Sequence, residues 1–545
     1  MKKNFIVSLM LVGLLVSAIF TSQSMAAVFH VTNATEFQAA LDAAETNGED
    51  DTIYLASGTY AGNFSYQPPD TEHKALTIQG EAGTFAAEVV LDGQNSGRVL
   101  FLLDYNIYAD GSVPEVRISG MTFQNGNSLW GAGIGAGLYY YNISITNCVI
   151  VNNTGAGLGG GVYMENHHGG AGVLTLDNNL IMWNTLTDDM NHWSKGAGAY
   201  MSGYATGQSD SVIRNNIIVR NSAQGATDPQ GGGLWVANSS NGNINLIENT
   251  IYNNQHTNQA NKGGGVYFGS GASAYVYNNI IYGNTAIQGG DLYFEDVTSK
   301  IGYNNNYTDM YGTWTDSGAN LDTDPLFVSD QNNDFRLQPT SPMINAGTTA
   351  VPDPPGLPST DYEGNPRVMG PSPDIGAYES FPVNPQEGTI GTEITIRGSG
   401  YGIKKGKVLI GTVSLKILEW TDTQIRGLLS KALPPDTYDV TIRPPKASAI
   451  VLPDSFAVSA PAINNVDPTS GSAGDTIAIS GYLFGTKKGK VTLGGKSCKV
   501  TSWTMGGVYE FSEIIFIVPK GLTSGTKELK VTNGVGSDTT TFTIE

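Results

Sequence analysis

The chain has 545 residues, of which 69 are Gly and only 14% are charged, a composition that suits tight turns and short strands and excludes long amphipathic helices as the main element. Residues 28–380 carry 10 basic against 35 acidic side chains, a net of −25, whereas residues 381–545 carry 17 against 14, a net of +3. An acidic field of that size excludes nucleic acid and anionic membrane as partners of the longer part, and it repels acidic polysaccharides unless a cation such as Ca²⁺ bridges them.

The first segment, MKKNFIVSLMLVGLLVSAIFTSQSMAA, places Lys2 and Lys3 before an apolar run from Phe5 to Phe20 and ends in the small-x-small pattern Ser24-Met25-Ala26. This predicts a secretory signal peptide over residues 1–26, cleaved after Ala26, because the run falls short of the ~20 residues that span a bilayer. No later segment is apolar enough to cross one, so no transmembrane segment is expected after cleavage. The two cysteines, Cys148 and Cys498, fall in different predicted domains and read as buried small hydrophobes. Without a disulfide framework, an exported chain depends on packing and hydrogen bonds.

Next comes TEFQAALDAAETNGED, where Thr35-x-x-Gln38 has the spacing of a capping box and opens a helix with Phe37, Ala40, Leu41 and Ala44 on one face. A helix here would cover the exposed sheet edge at the end of a stack.

The body is a repeat. Its asparagine-rich half aligns as ITNCVIVNNT, LDNNLIMWNT, IRNNIIVRNS, LIENTIYNNQ and VYNNIIYGNT, with Ile150, Ile181, Ile218, Ile251 and Ile281 in one column. Asn153, Asn184, Asn221, Asn254 and Asn284 follow three positions later, and Asn125 of a weaker copy falls close to that column. The glycine-led half aligns as GLYY, GVYM, GAYM, GLWV, GVYF and DLYF. Strand alternation sends Leu138, Val162, Ala199, Leu234, Val266 and Leu292, then Tyr140, Met164, Met201, Val236, Phe268 and Phe294, inward. It sends Tyr139, Tyr163, Tyr200, Trp235, Tyr267 and Tyr293 outward.

Units of this length with short strands and no helical period bury an apolar face only by stacking on one another. The predicted result is a parallel β-helix with about 4.8 Å per coil. The Ile column would make its core, and the Asn column would pass amide hydrogen bonds along a turn.

The lid, the segment DTIYLASGTY and the Asn-rich coils together resemble the right-handed parallel β-helix proteins of the pectin-lyase-like superfamily, over residues 27–380. DFRLQPTSPMINAG, DYEGNPR and PDIGAYE, at about 325–380, are similar to the choice-of-anchor Q segment of secreted bacterial β-helix proteins, which implies the C-terminal end of the helix. The tail then duplicates, with TEITIRGSGYGIKKGKVLIG matching DTIAISGYLFGTKKGKVTLG and Trp420 matching Trp503. Alternating strands with Gly and Pro turns predict two β-sandwiches, 381–460 and 461–545. Both resemble IPT/TIG immunoglobulin-like domains, so the expected fold class is all-β, a right-handed parallel β-helix followed by two Ig-like β-sandwiches.

Two features bear on function. The outward rings at Tyr139, Tyr163, Tyr200, Trp235, Tyr267 and Tyr293 are candidate platforms for the C–H faces of sugar rings. The variable segments leading into the glycine strands place Asp188, Asp189, His192 and Lys195 along one edge with Asp228, His256 and Lys262, and the first four are the candidate catalytic residues. His167 and His168 belong to another corner of the coil. The WxDH and RxPxxR motifs of pectate lyases and the NTD, DD, GHG and RIK series of polygalacturonases are absent.

The leading expectation is a secreted or cell-surface carbohydrate-binding, adhesin-like protein with Ig-like stalk or accessory domains. The alternatives are a polysaccharide lyase or glycoside hydrolase with an unrecognised site, for which Ca²⁺ is the one cofactor the reading admits, and a passive structural envelope protein.

Overall fold

The computed structural model describes residues 26–545 apart from 107–111, 168–171, 188–193, 205–209, 225–228, 239–241, 257–260, 270–272, 296–297, 306–308, 339–340, 369–371, 381–382, 398–400, 423, 446–447 and 505–511. The predicted signal peptide up to Met25 thus lies outside the described residues.

A complete coil runs through four short strands: Asn142–Thr146, Val149–Val151, Thr154–Leu158 and Val162–His167. Each pairs in parallel with its counterpart in the next coil. The stack therefore has an 11-stranded face 1, an eight-stranded face 2, a five-stranded corner ribbon and a nine-stranded face 3. This is a parallel β-helix, with one continuous core along its axis.

Ile150, Ile181, Ile218, Ile251 and Ile281 stand in register on face 2 and are fully buried. On face 3, Val162, Ala199, Leu234, Val266 and Leu292 form one inward column, and Met164, Met201, Val236, Phe268 and Phe294 the next. Leu138 and Tyr140 do not begin these columns. Ile134 and Ala136 pair with Val162 and Met164, so GIGA is the counterpart of GVYM. The segment GAGIGAGLYY offers two alternating registers, and the one without aromatic residues is the one that pairs.

The buried Asn153, Asn184, Asn221, Asn254 and Asn284 form a continuous amide ladder. Each Oδ1 accepts from the backbone N–H and the Nδ2 of the rung before, as Asn221 does from Asn184 at 3.0 Å for both. Gly126 starts this ladder through its N–H, 2.8 Å from Asn153 Oδ1, and Asp291 ends it by accepting from Asn284. Asn125 is not a rung: it sits at φ 54° in a turn and donates to Asp92.

A second ladder, unforeseen in the sequence reading, links Asn179, Asn216, Asn249, Asn279 and Asn304 with the same bonds. Cys148 holds its first position and donates its N–H to Asn179 Oδ1 at 3.0 Å. Every rung removes an otherwise orphaned donor and acceptor from the interior.

Helix α1, Ala34–Ala44, packs against the first strands and buries Phe37, Ala40, Leu41 and Ala44, as its spacing predicts. It begins earlier than the predicted box at Thr35. Asn33 is the N-cap, its side chain accepting from Glu36 N, while Glu36 Oε2 accepts from the N–H of Thr32.

Residues 327–377 do not simply close the end of the stack. Phe327, Phe335, Leu337, Met343, Ile375 and Ala377 lie along the outside of face 2, against Met182, Ile217, Val219 and Ile280. The strap is fixed by Arg367, which is 2% exposed. Its guanidinium reaches Glu248 at 3.3 Å, Glu379 at 3.5 Å and the carbonyls of Gly376 and Ala377 at 3.0 Å, and it also bonds Asn215.

Each of the two following sandwiches has a four-stranded and a five-stranded sheet, with its own core. The duplication extends to detail: Trp420 Nε1 donates to Gly402 O at 2.9 Å and Trp503 Nε1 to Gly485 O at 2.8 Å. Of the cysteines, Cys148 is buried and Cys498 only partly so; both are free thiols. Among the described residues no helix is long and apolar enough to cross a membrane.

Candidate functional site on face 3

Trp130 of the corner ribbon, followed on the outward side of face 3 by Tyr163, Tyr200, Trp235, Tyr267, Tyr293 and Tyr311, makes a stack of seven rings. Their centroids are separated in turn by 6.1, 5.3, 4.5, 6.3, 4.9 and 4.9 Å, with interplanar angles of 18° or less. From Tyr163 to Tyr311 parallel in-register pairing sets this spacing, since the same position of successive coils repeats at strand separation.

The five central rings, Tyr163 to Tyr293, are buried. They stack on one another and leave no open ring face in this conformation. Only the two end rings, Trp130 and Tyr311, are exposed.

Tyr139 stands apart from the column. The position aligned with Tyr163 in the preceding coil is Gly135, which pairs in turn with Phe101. Arg98 occupies the space that a ring would fill there: a Cβ on Gly135 would come within 2.7 Å of its Nε. The guanidinium lies 4.0 Å above the Phe101 ring, and its Nε donates to the carbonyls of Trp130 and Gly131 at 2.7 and 3.1 Å. A planar cation thus continues the stacking in place of an aromatic ring.

Beside it, Gly137 leaves room for Tyr105, whose ring would be 3.4 Å from a Cβ there. Tyr105 packs on Tyr139 with centroids 4.8 Å apart, and the Tyr163 hydroxyl donates to Glu165.

The result is a cluster of Arg98, Tyr105, Trp130, Tyr139, Tyr163 and Glu165 over a glycine floor. Its electrostatics are mutually dependent. Burial, then the Glu165 carboxylate, push the Tyr139 hydroxyl up to about 12. The same two causes raise Tyr105, where Arg98 opposes them. Burial lowers Arg98. Tyr105 is 47% and Trp130 38% exposed, so this end of the column has open ring faces with a guanidinium and a carboxylate beside them.

Such a set can stack against an apolar ring face and exchange hydrogen bonds with hydroxyls around it. All three hydroxyls are held in their neutral form at physiological pH. Sequence reasoning missed Arg98, Tyr105, Trp130 and Glu165. The available signal was the ring-free GIG inside an otherwise aromatic column.

Lys195 and Lys262 do share one edge, joined through Gln230 by parallel bridges. Lys195 Nζ lies 4.6 Å from the Trp235 centroid and Lys262 Nζ 5.7 Å from that of Tyr293, so both lean over the buried rings. His256 belongs elsewhere. It stacks in the column of Ala223 inside the corner ribbon, and among the described residues neither ring nitrogen has a hydrogen-bond partner. Burial drives its pKa down to about 4. Asp188, Asp189, His192, Asp228 and His168 lie outside the described residues, as does the side chain of His167. Among the described residues no group of His, Cys, Asp and Glu is arranged to hold a metal ion.

The IPT/TIG domain family matches residues 382–457 and 461–544, so the chain carries two such domains in tandem. The chain is 39% identical over 87 residues to a cyclomaltodextrin glucanotransferase of Paenibacillus macerans, a match covering 15% of this chain and 11% of that protein. Among solved structures it resembles the surface glycan-binding protein SGBP-B of a Bacteroides ovatus mixed-linkage glucan utilization locus, in complex with a heptasaccharide. Identity there is 15%, coverage 31% of this chain and 44% of the other, and the TM-score 0.17. It also resembles the extracellular region of plexin A4, at 16% identity over 30% of this chain and 18% of the other, with a TM-score of 0.21. The chain therefore spans less than half the length of each.

Proposed function

We propose that this is an exported, surface-associated carbohydrate-binding protein of adhesin type. Its body is a right-handed β-helix of the pectin-lyase-like kind with a choice-of-anchor Q-like end, and its tandem sandwiches act as a stalk or accessory module. The observation that carries the binding role is the cluster of Trp130, Tyr105 and Tyr139 around Arg98 and Glu165. Half-open rings next to polar groups of both charges suit a saccharide, which has apolar C–H faces and a hydroxyl rim. The likeness to a cyclomaltodextrin glucanotransferase, an enzyme named for a glucan, points to the same partner class. The signal-peptide pattern of residues 1–26 supports export.

The test is retention of the mature protein on immobilised neutral and acidic polysaccharides, with Ca²⁺ and with chelator. Retention on at least one glycan is expected, and Trp130→Ala with Tyr105→Ala should weaken it by roughly ten- to a hundredfold. Equal retention by a folded double variant would remove this cluster from the binding role. Cleavage of any polymer would move the reading to a lyase or hydrolase.

A further inference from the structure

The two sandwiches are copies in fold but not in surface. In the second, a groove of about 450 Å³ opens between the edge strand Ala462–Asp467 and the last strand, Ser537–Ile544. Asn464, Asn465, Thr469, Ser470, Thr541 and Thr543 are its principal polar lining, and Ile463 and Val466 complete the wall. We propose that this groove is a second ligand site, separate from face 3, which takes a short neutral oligosaccharide.

The chemistry of the lining carries the inference. Every polar side chain in it is a hydroxyl or a carboxamide, and none is charged, although the domain, residues 461–545, contains 8 lysines and 7 acidic residues. Hydroxyls and amides both give and accept hydrogen bonds without imposing a charge, which matches a polyol. Two carboxylates next to the lining are already engaged by it, Glu545 accepting from Ser470 Oγ at 2.5 Å and Asp538 from Ile463 N. The side chains of Asn464, Asn465, Thr469, Thr541 and Thr543 make no hydrogen bond to other described residues, so their donors and acceptors face the groove and solvent. The backbone contributes to this arrangement. The edge strand has a register shift between Ile463 and Asn465, and the bulge redirects Asn464. Asp538 holds the shifted segment by accepting from Ile463 N at 2.7 Å. The volume lies within the range of small-ligand sites.

The first sandwich is an internal control. Matching strand pairs, Glu387 with Ala457 and Ser470 with Thr543, align the two domains at this position. Where the second domain has Asn464, Asn465, Ser470 and Thr543, the first has Phe381, Pro382, Glu387 and Ala457. One copy has a neutral polar lining, and the sequence of its sister has apolar residues and a carboxylate at the matching positions.

The experiment uses full-length mature protein carrying Trp130→Ala, which disables the face 3 cluster, titrated with maltohexaose, cellohexaose and xylohexaose by calorimetry and ligand-observed NMR. At least one should bind saturably, and adding Asn465→Ala with Thr543→Val, both at exposed positions, should weaken it roughly ten- to a hundredfold. The matching change in the first sandwich, Glu387→Ala, should leave it unaltered. No saturable binding, or equal binding with and without the groove substitutions, overturns the proposal while leaving face 3 untouched. Pairing of an extended peptide with the edge strand in place of any sugar would likewise overturn it.

Discussion

The β-helix and the sandwich tandem are both all-β, yet they solve the problem of burial differently. In the sandwiches each core is closed within one domain, from Val383 to Val458 and from Val466 to Ile544. In the β-helix one core runs from Val31 to Ile301, and every coil is the template for the next. The sandwiches touch, Val535 packing against the first core and Asn533 donating to Thr389 at 3.1 Å, but each closes its own core, whereas a coil depends on the coils on either side. The charge difference, −25 against +3, runs parallel to this division.

The largest effect should come from that cluster. Arg367→Ala would strip Glu248, Glu379 and the carbonyls of Gly376 and Ala377 of the buried donor they share, a loss of about 3–5 kcal/mol. Because the strap lies outside face 2, the expected sign is early cleavage of residues 327–377 in limited proteolysis, with the sandwich transitions unchanged in calorimetry. A normal cleavage pattern in the variant would show that apolar packing alone holds the strap.

The same cluster sets a pH dependence. Burial pushes Glu248 up to about 8 against the opposing pull of Arg367, so the folded state binds this proton more tightly than the unfolded chain, where the group titrates near 4.5. Its contribution is complete below about 4.5 and disappears as pH rises through 8. His256 acts in the opposite direction, with stability lost as pH falls from 6.5 towards 4. Above pH 6.5 only the carboxylate side remains, so Tm of the β-helix should fall between pH 6.5 and 9. Glu248→Gln should flatten that slope, and an unchanged slope would assign it to other groups.

A middle-sized effect tests coil-to-coil dependence. Asn216→Ala removes the amide that accepts from Asn179 and donates to Asn249, Leu176 and Arg214. Orphaning several buried groups should cost about 2–4 kcal/mol. Hydrogen exchange should rise in the coils on both sides of it and stay unchanged in the sandwiches. Exchange confined to one coil would contradict the template picture.

What was legible in the sequence follows the same division. The Ile column, the first Asn ladder and the buried face of α1 follow from spacing within single segments, so periodicity suffices. The second ladder is visible two residues before the Ile column, in Asn179, Asn216, Asn249 and Asn279, but Cys148 interrupts the pattern at its start. Arg98 over Gly135 and Arg367 beside Glu248 are different in kind. They depend on which positions pair across 37 and 119 residues, information that no local pattern holds. The aromatic column was legible as an alignment, but its burial was not, because the outward side of a strand reads the same whether solvent or another element covers it.

The smallest effect concerns the interrupted rung. Cys148 lies where an asparagine would continue the second ladder: its Sγ is 3.2 Å from Thr146 O and 3.9 Å from Ile118 O, the two carbonyls to which an amide there would donate. Asn216, two rungs further along, donates to the equivalent pair, Leu176 O and Arg214 O, at 2.9 Å each. Burial pushes the thiol up to about 12, so it is a neutral, weak donor that only partly satisfies these groups. Cys148→Asn should therefore be neutral or stabilising by up to ~1 kcal/mol, whereas Cys148→Leu, which supplies no donor, should cost about 1–3 kcal/mol. Equal losses in the two variants, measured as Tm of the β-helix transition, would mean that size rather than hydrogen bonding governs this position. The ladder would then end at Asn179 because the coil before it is too tight for an amide.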